Sequence, residues 1–207
     1  MTRLVRAPHN FEEEDIPYRE SITSLGHFVF SGSTYHKFVG WNNLEKLAGV
    51  IFHANNNLEF VDLSLTKIDS LEERCFYLCP NLKTVILPSF LKEINYLGLY
   101  QIDKLLSISI PSTVKVLYES CFSEMRNLKV ICYYGNVSFS GYNLFNNCPS
   151  VRYIRVCSLY PSEKFSSFFV SFDAYQLGET IIPCPTIKNI PCSYNTHFLY
   201  YSVFILG

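Results

Sequence analysis

The chain has no excess of charge of either sign: 17 Lys and Arg stand against 18 Asp and Glu, a formal net charge of -1 over 207 residues. Phosphate backbones are gripped by clustered cations, so this balance gives nucleic-acid binding no electrostatic support. The one charge run, residues 12–15 ("EEED"), is short and reads as a solvated segment. Long hydrophobic runs are missing as well. The most apolar closing stretch, "FLYYSVFILG" at 198–207, is about half of what a membrane-crossing helix needs. The opening "MTRLVRAPHNFEEED" lacks the apolar core of a secretory leader. Read on these features alone, the chain is expected to be cytoplasmic, without membrane insertion.

Catalytic signatures are equally scarce. There is no Gly-rich phosphate loop, no Gly-x-Ser-x-Gly elbow and no His-Glu-x-x-His helix. The five histidines, His9, His27, His36, His53 and His197, are scattered. Zinc needs paired Cys-Cys or Cys-His spacings; Cys75 and Cys79 come close, but no second pair answers them. Glu72 and Glu73 read as solvated turn carboxylates. Asn136-Val137-Ser138 fits a glycosylation sequon, which a chain rich in asparagine yields readily by chance. The expectation is a chain that is not an enzyme and uses no metal or cofactor.

What the sequence does contain is a period. From Phe76, apolar residues follow at +6, +9 and +11 (Leu82, Val85, Leu87), then Pro88 at +12, then Leu91 and Ile94 at +15 and +18. The same offsets run from Leu99 (Leu105, Ile108, Ile110, Pro111, Val114, Leu117), from Phe122 (Leu128, Ile131, Tyr133, Val137) and from Phe145 (Val151, Ile154, Val156). Backwards, Phe52 leads Leu58, Val61, Leu63, Ile68 and Leu71. The steps are 24, 23, 23 and 23 residues. Phe38, ahead of Leu44 and Leu47, is taken as position zero of an incomplete first unit.

The pattern has a physical reading. Apolar residues two apart make a short strand with one buried face. Proline cannot continue a hydrogen-bonded ladder, so position +12 ends the strand and turns the chain. The +15 and +18 pair returns along the other side of the coil. One coil cannot bury its own apolar face, so stacked coils form a solenoid with a parallel sheet, and Phe76, Phe122 and Phe145 are expected to stack as a ladder inside. The fold class expected is mostly β, with short coil or turn returns.

The stretches "CFYLCPNLKTVILPSFLKEI", "LLSISIPSTVKVLYESCF" and "CFSEMRNLKVICYYGNVSFSGYNLFNNCPSVRYIRV" resemble the BspA-type leucine-rich repeats, whose 23-residue unit carries an aromatic, a cysteine, a Leu-x-x-Ile-x-Ile run and a proline. "SLYPSEKF" after the last unit resembles the way such arrays end. The usual Ile-Gly turn before the aromatic is replaced here by "INYLGL" and "LYESCF". The resemblance implies a leucine-rich-repeat solenoid over 36–170, preceded by a segment 1–35 and followed by an extension 171–207. It further implies a protein-binding surface antigen or adhesin, hence a cell-surface location. An intracellular scaffold for protein–protein interaction is the alternative.

Two sets of residues complete the reading. Cys79 and Cys148 share position +3, and Cys75 and Cys121 share position -1. A small apolar side chain recurring at one position is what core packing asks for, with a disulfide as the alternative. The residues expected to point outward from the strands are Phe60, Thr84, Ser107, Val130 and Tyr153 at +8, with Asp62, Ile86, Ser109, Cys132 and Arg155 at +10. From these, Phe60, Asp62, Ile86, Ser107, Ser109, Tyr153 and Arg155, with Arg152 at the rim, form the candidate surface for a protein partner. The tail, with its clustered prolines, is expected to be a poorly ordered extension or a strand laid on the last coil.

Overall fold

The protein was analysed as a computed structural model that describes residues 2–5, 7, 16, 18–139, 142–151, 153–157 and 159–171; for Tyr153 and Ser171 it describes the backbone alone. In chain order the strands are β1 (Thr2–Leu4), β2 (Ile22–Leu25), β3 (Lys37–Val39), β4 (Lys46–Leu47), β5 (Phe60–Asp62), β6 (Ser70–Leu71) and β7 (Thr84–Ile86). They continue as β8 (Glu93–Ile94), β9 (Ser107–Ile110), β10 (Val116–Leu117), β11 (Val130–Tyr133), β12 (Tyr153–Val156), β13 (Lys164–Phe165) and β14 (Phe168–Ser171). A single turn of 3-10 helix lies at Arg19–Ser21.

The coils from Phe52, Phe76 and Leu99 each place a strand on a front side and a two-residue strand on a return side. On the front, Val61 pairs in parallel with Phe38 and Val85, and Ile131 with Ile108 and Ile154. On the return side, Ile94 pairs with Leu71 and Leu117. The return strands are two residues long, ending at Leu71, Ile94 and Leu117, while Ile68, Leu91 and Val114 lie in the turns that lead into them. The front consists of two sheets, β3-β5-β7 and β9-β11-β12-β14 with β13 antiparallel at its edge. The strands at the break run into Pro88 and Pro111, each of which withholds an N–H from the ladder.

The side-chain columns follow from this register. The +6, +9 and +11 residues of the coils from Phe52 to Phe145 are buried, as are Ile94 and Leu117 at +18 and Leu71, at +19 in the coil that carries one extra residue, and they join one continuous core. At position zero, Phe52 stacks on Phe76 with centroids 5.6 Å apart and planes 6° from parallel. Phe122 stacks on Phe145 at 5.2 Å and 17°. Leu99 interrupts the ring ladder while remaining fully buried. Phe168 extends the column, meeting Phe145 edge-to-face at 5.3 Å.

The corner around position zero explains how the coils turn without the Ile-Gly pair. Residues two before it (Phe28, Val50, Arg74, Leu97, Ser120) and two after it (Ala54, Leu78, Gln101, Glu124, Asn147) have φ between 53° and 60°. This left-handed region costs an L-residue about 1–2 kcal/mol, yet both positions are held by turn and inter-coil bonds. In one coil Tyr77 N–H donates to Arg74 O and Cys79 N–H to Phe76 O, while Val50, Phe52 and Ala54 donate to Glu73, Cys75 and Tyr77 of the next coil.

The start of the array corrects the register read from sequence. Phe38 is not a position-zero residue; it lies on β3 opposite Val61, at the strand position. Phe30 takes position zero and stacks on Phe52 at 5.5 Å and 17°. The reason is composition: Tyr35 precedes Phe38 by three residues, as Leu58 precedes Val61, and Gly40 stands where the next coil has Leu63, so the leucines that mark later coils are replaced. The Trp41 indole N–H donates to Ile22 O at 2.7 Å. Residues before 36 add β1 and β2 to the return side, in parallel order β1-β2-β4. At the other end, the extension from 171 begins inside β14; the expectation for 172–207 lies outside the described residues.

Candidate functional site

The outward residues of the front sheets fall into two unlike halves. On β5 and β7, Phe60, Asp62, Thr84 and Ile86 are half-buried, each flanking an inward Val61 or Val85. Lys37 Nζ lies 5.4 Å from the Phe60 ring centroid, a cation–π contact across β3 and β5. Asp62 accepts a hydrogen bond from Ser64 N–H at 2.8 Å, which fixes the carboxylate at the strand end. At the rim, Lys83 Nζ reaches Glu59 Oε2 at 2.8 Å, and that ammonium holds the Glu59 carboxyl below its ordinary range.

On the second front sheet the outward face is closed. Ser107 is half-buried, but Ser109 is 3% exposed, Val130 1% and Cys132 0%. These residues were expected to face water and do not. Arg155 is half-buried. Arg152 and the Tyr153 side chain lie outside the described residues, although the Tyr153 backbone pairs with Val130. Phe60 and Tyr153 are four strands apart, about 19 Å at sheet spacing, with the break between β7 and β9 separating them. The structure therefore brings Phe60, Asp62 and Ile86 together and leaves Ser107, Ser109 and Arg155 on another sheet.

The cysteines divide in the same way. Cys75, Cys79, Cys121 and Cys148 are free and buried in their columns. Burial pushes the Cys79 thiol up to about 12, and raises the other three as well. Such thiols are poor nucleophiles. Cys132 and Cys157, which share no repeat position, are disulfide-bonded. Among the described residues no group of three His, Cys, Asp or Glu is placed to hold a metal ion. No helix among them is long and apolar enough to cross a membrane.

Sequence reasoning missed a second aromatic run on the corner side. His53, Tyr77 and Tyr100, each one residue after position zero, meet in tilted ring contacts with centroids 5.6 Å apart, and Phe28 meets His53 edge-on at 5.6 Å. The signal was present in the sequence, at position +1 of three successive coils.

Parallel two-sided coils with a Leu-x-x-Val-x-Leu strand and a buried aromatic column define a leucine-rich-repeat solenoid. The family model described as the BspA type leucine rich repeat region matches in six copies over residues 9–101 and 50–171, and the chain belongs to that family. The fold is similar to that of a leucine-rich repeat protein from Bacteroides ovatus, at TM-score 0.54 and 19% identity, over 73% of this chain and 39% of that one. The pneumococcal vaccine antigen PcpA aligns at TM-score 0.42 and 20% identity, covering 80% of this chain and 35% of that one. The T. pallidum leucine rich repeat protein aligns at 0.36 and 15%, covering 74% and 67%. This chain thus spans about two-fifths of the Bacteroides protein's length. No curated protein sequence matches.

Proposed function

We propose that the chain is a non-catalytic protein-binding module of the adhesin or surface-antigen kind, and that the outward face of β5 and β7 receives the partner. The observation that carries this reading is the grouping of Phe60, Asp62, Thr84 and Ile86, half open to solvent, on strands fixed by the core beneath. A rigid aromatic and an aliphatic side chain beside a held carboxylate match the composition of interface hot spots and rims. Disulfides persist in oxidising compartments, so the bonded Cys132 and Cys157 support the surface version over an intracellular scaffold.

The experiment places a photo-crosslinker at Thr84, exposes the protein to intact cells, and titrates the captured protein against variants. Phe60→Ala is expected to weaken binding by about 1 to 3 kcal/mol with little change in melting. Lys92→Ala, on the return side in an exposed pair with Asp69 at 3.0 Å, is expected to leave binding intact. Loss of binding in Lys92→Ala with none in Phe60→Ala would place the interface on the return side.

A further inference from the structure

Asn136-Val137-Ser138 is the only Asn-x-Ser or Asn-x-Thr sequence in the chain. Chance supplies such a motif readily, but it does not supply a placement. Residues 134–139 follow β11 and form neither strand nor helix. Val137 packs against the core and Asn136 beside it is exposed, as are Phe90 and Thr113 at the same offset in the two preceding coils. The side-chain amide is also uncommitted. Asn43, Asn81 and Asn127 each donate Nδ2 to a backbone carbonyl of the preceding coil, those of Glu20, Asn56 and Asp103. Asn136 instead uses Oδ1, which accepts from Lys115 Nζ at 3.3 Å.

We propose that Asn136 is an N-glycosylation site. The co-reactant is an oligosaccharide carried on a lipid diphosphate. Nδ2 bonds to the anomeric carbon of the first sugar as the bond from that carbon to the phosphate oxygen breaks. The lipid diphosphate leaves with the bonding electrons, and Nδ2 gives up one proton to a base of the transferase. Such transfer takes place in the lumen where secreted and surface chains also form disulfides. Cys132, on β11 of the same coil, is disulfide-bonded, as is Cys157. In the folded coil the Ser138 side chain is hydrogen-bonded to Tyr160, so the hydroxyl that a transferase reads is free only before the coil closes, and transfer precedes folding. The product fits the fold afterwards. Oδ1 persists in a glycosylated asparagine and keeps its bond to Lys115, which leads into β10, the edge strand of the return sheet. The sugar therefore stands on the return side and leaves β5 and β7 clear. The proposal rests on the surface version of the reading above for its compartment, not for its partner.

The test isolates the full chain from the cells that produce it and follows the peptide carrying Asn136 by mass spectrometry. The peptide is measured before and after enzymatic removal of N-glycans in heavy-oxygen water, and the oxidation state of Cys132 and Cys157 is read in the same digest. The expected result is a glycopeptide that the enzyme converts to one with heavy-oxygen aspartate at position 136. In the same cells Ser138→Ala is expected to lose the sugar and Ser138→Thr to keep it. An unmodified Asn136 with both cysteines oxidised overturns the glycan alone. An unmodified Asn136 with both cysteines as free thiols overturns the surface reading along with it. A sugar that persists in Ser138→Ala is attached independently of the motif and overturns the site.

Discussion

The Cys79 thiol donates to the carbonyl of Phe52, position zero of the preceding coil, at 3.0 Å. Cys148 makes the same contact to Phe122 O three coils further along the array. Cysteine at +3 is thus a small side chain that also satisfies a buried carbonyl, which a purely apolar residue would leave to other donors. Cys79→Ala is expected to cost about 1–2 kcal/mol in a denaturant melt, and Cys79→Ser less than about 1 kcal/mol, because the hydroxyl still donates. The reverse order would show that volume alone, and not the bond, selects cysteine.

Buried protonated groups make the array sensitive to alkali. Burial raises the Cys79 thiol from 9.0 to about 12, and the Tyr133 hydroxyl from 10.0 to about 12. Both folded values lie above the unfolded ones, so their contribution is complete below about pH 9 and falls away as pH climbs toward 12. The melting temperature should hold from pH 7 to about 8.5 and decline above pH 9. In Tyr133→Phe the decline between pH 10 and 12 should be shallower; an unchanged slope would remove Tyr133 from the account.

The aromatic column carries more stability than its neighbours. Phe122 is fully buried against Phe145, and Phe122→Ala is expected to cost about 3–5 kcal/mol. Ser123 beside it is buried too, and its hydroxyl has no hydrogen-bond partner. Removing an unsatisfied buried hydroxyl costs little, so Ser123→Ala should stay within about 0.5 kcal/mol of the parent or raise stability. Comparable losses from the two changes would contradict the column.

The corners hold strain that glycine would release. Val50 is β-branched and sits at φ 59°, with its N–H donating to Glu73 O at 3.1 Å. Val50→Gly keeps that bond and removes a left-handed penalty of about 1–2 kcal/mol, against an entropic cost of about 0.5–1 kcal/mol. A net gain of about 0.5–1 kcal/mol is expected by chemical denaturation. A loss of that size would show that the Val50 side chain packs more usefully than it strains.

The period of the sequence by itself determined the solenoid, the inward columns and the buried cysteines. Those follow from local chemistry: alternation sets a strand face, proline ends the strand, and a residue that recurs at one offset meets its own equivalents when coils stack. The same logic failed at Phe38, because Tyr35 and Gly40 stand where the next coil has Leu58 and Leu63 and carry no visible register; only pairing with Val61 set Phe38 on a strand. Strand pairing also divided the front between β7 and β9, which no offset announced. The candidate surface was legible as a list of outward residues, since direction from a strand is a local property. Whether an outward residue meets water is not local. Ile86 and Cys132 hold the same place in the repeat, yet one is half open and the other closed, because exposure is set by tertiary surroundings that no repeat offset encodes.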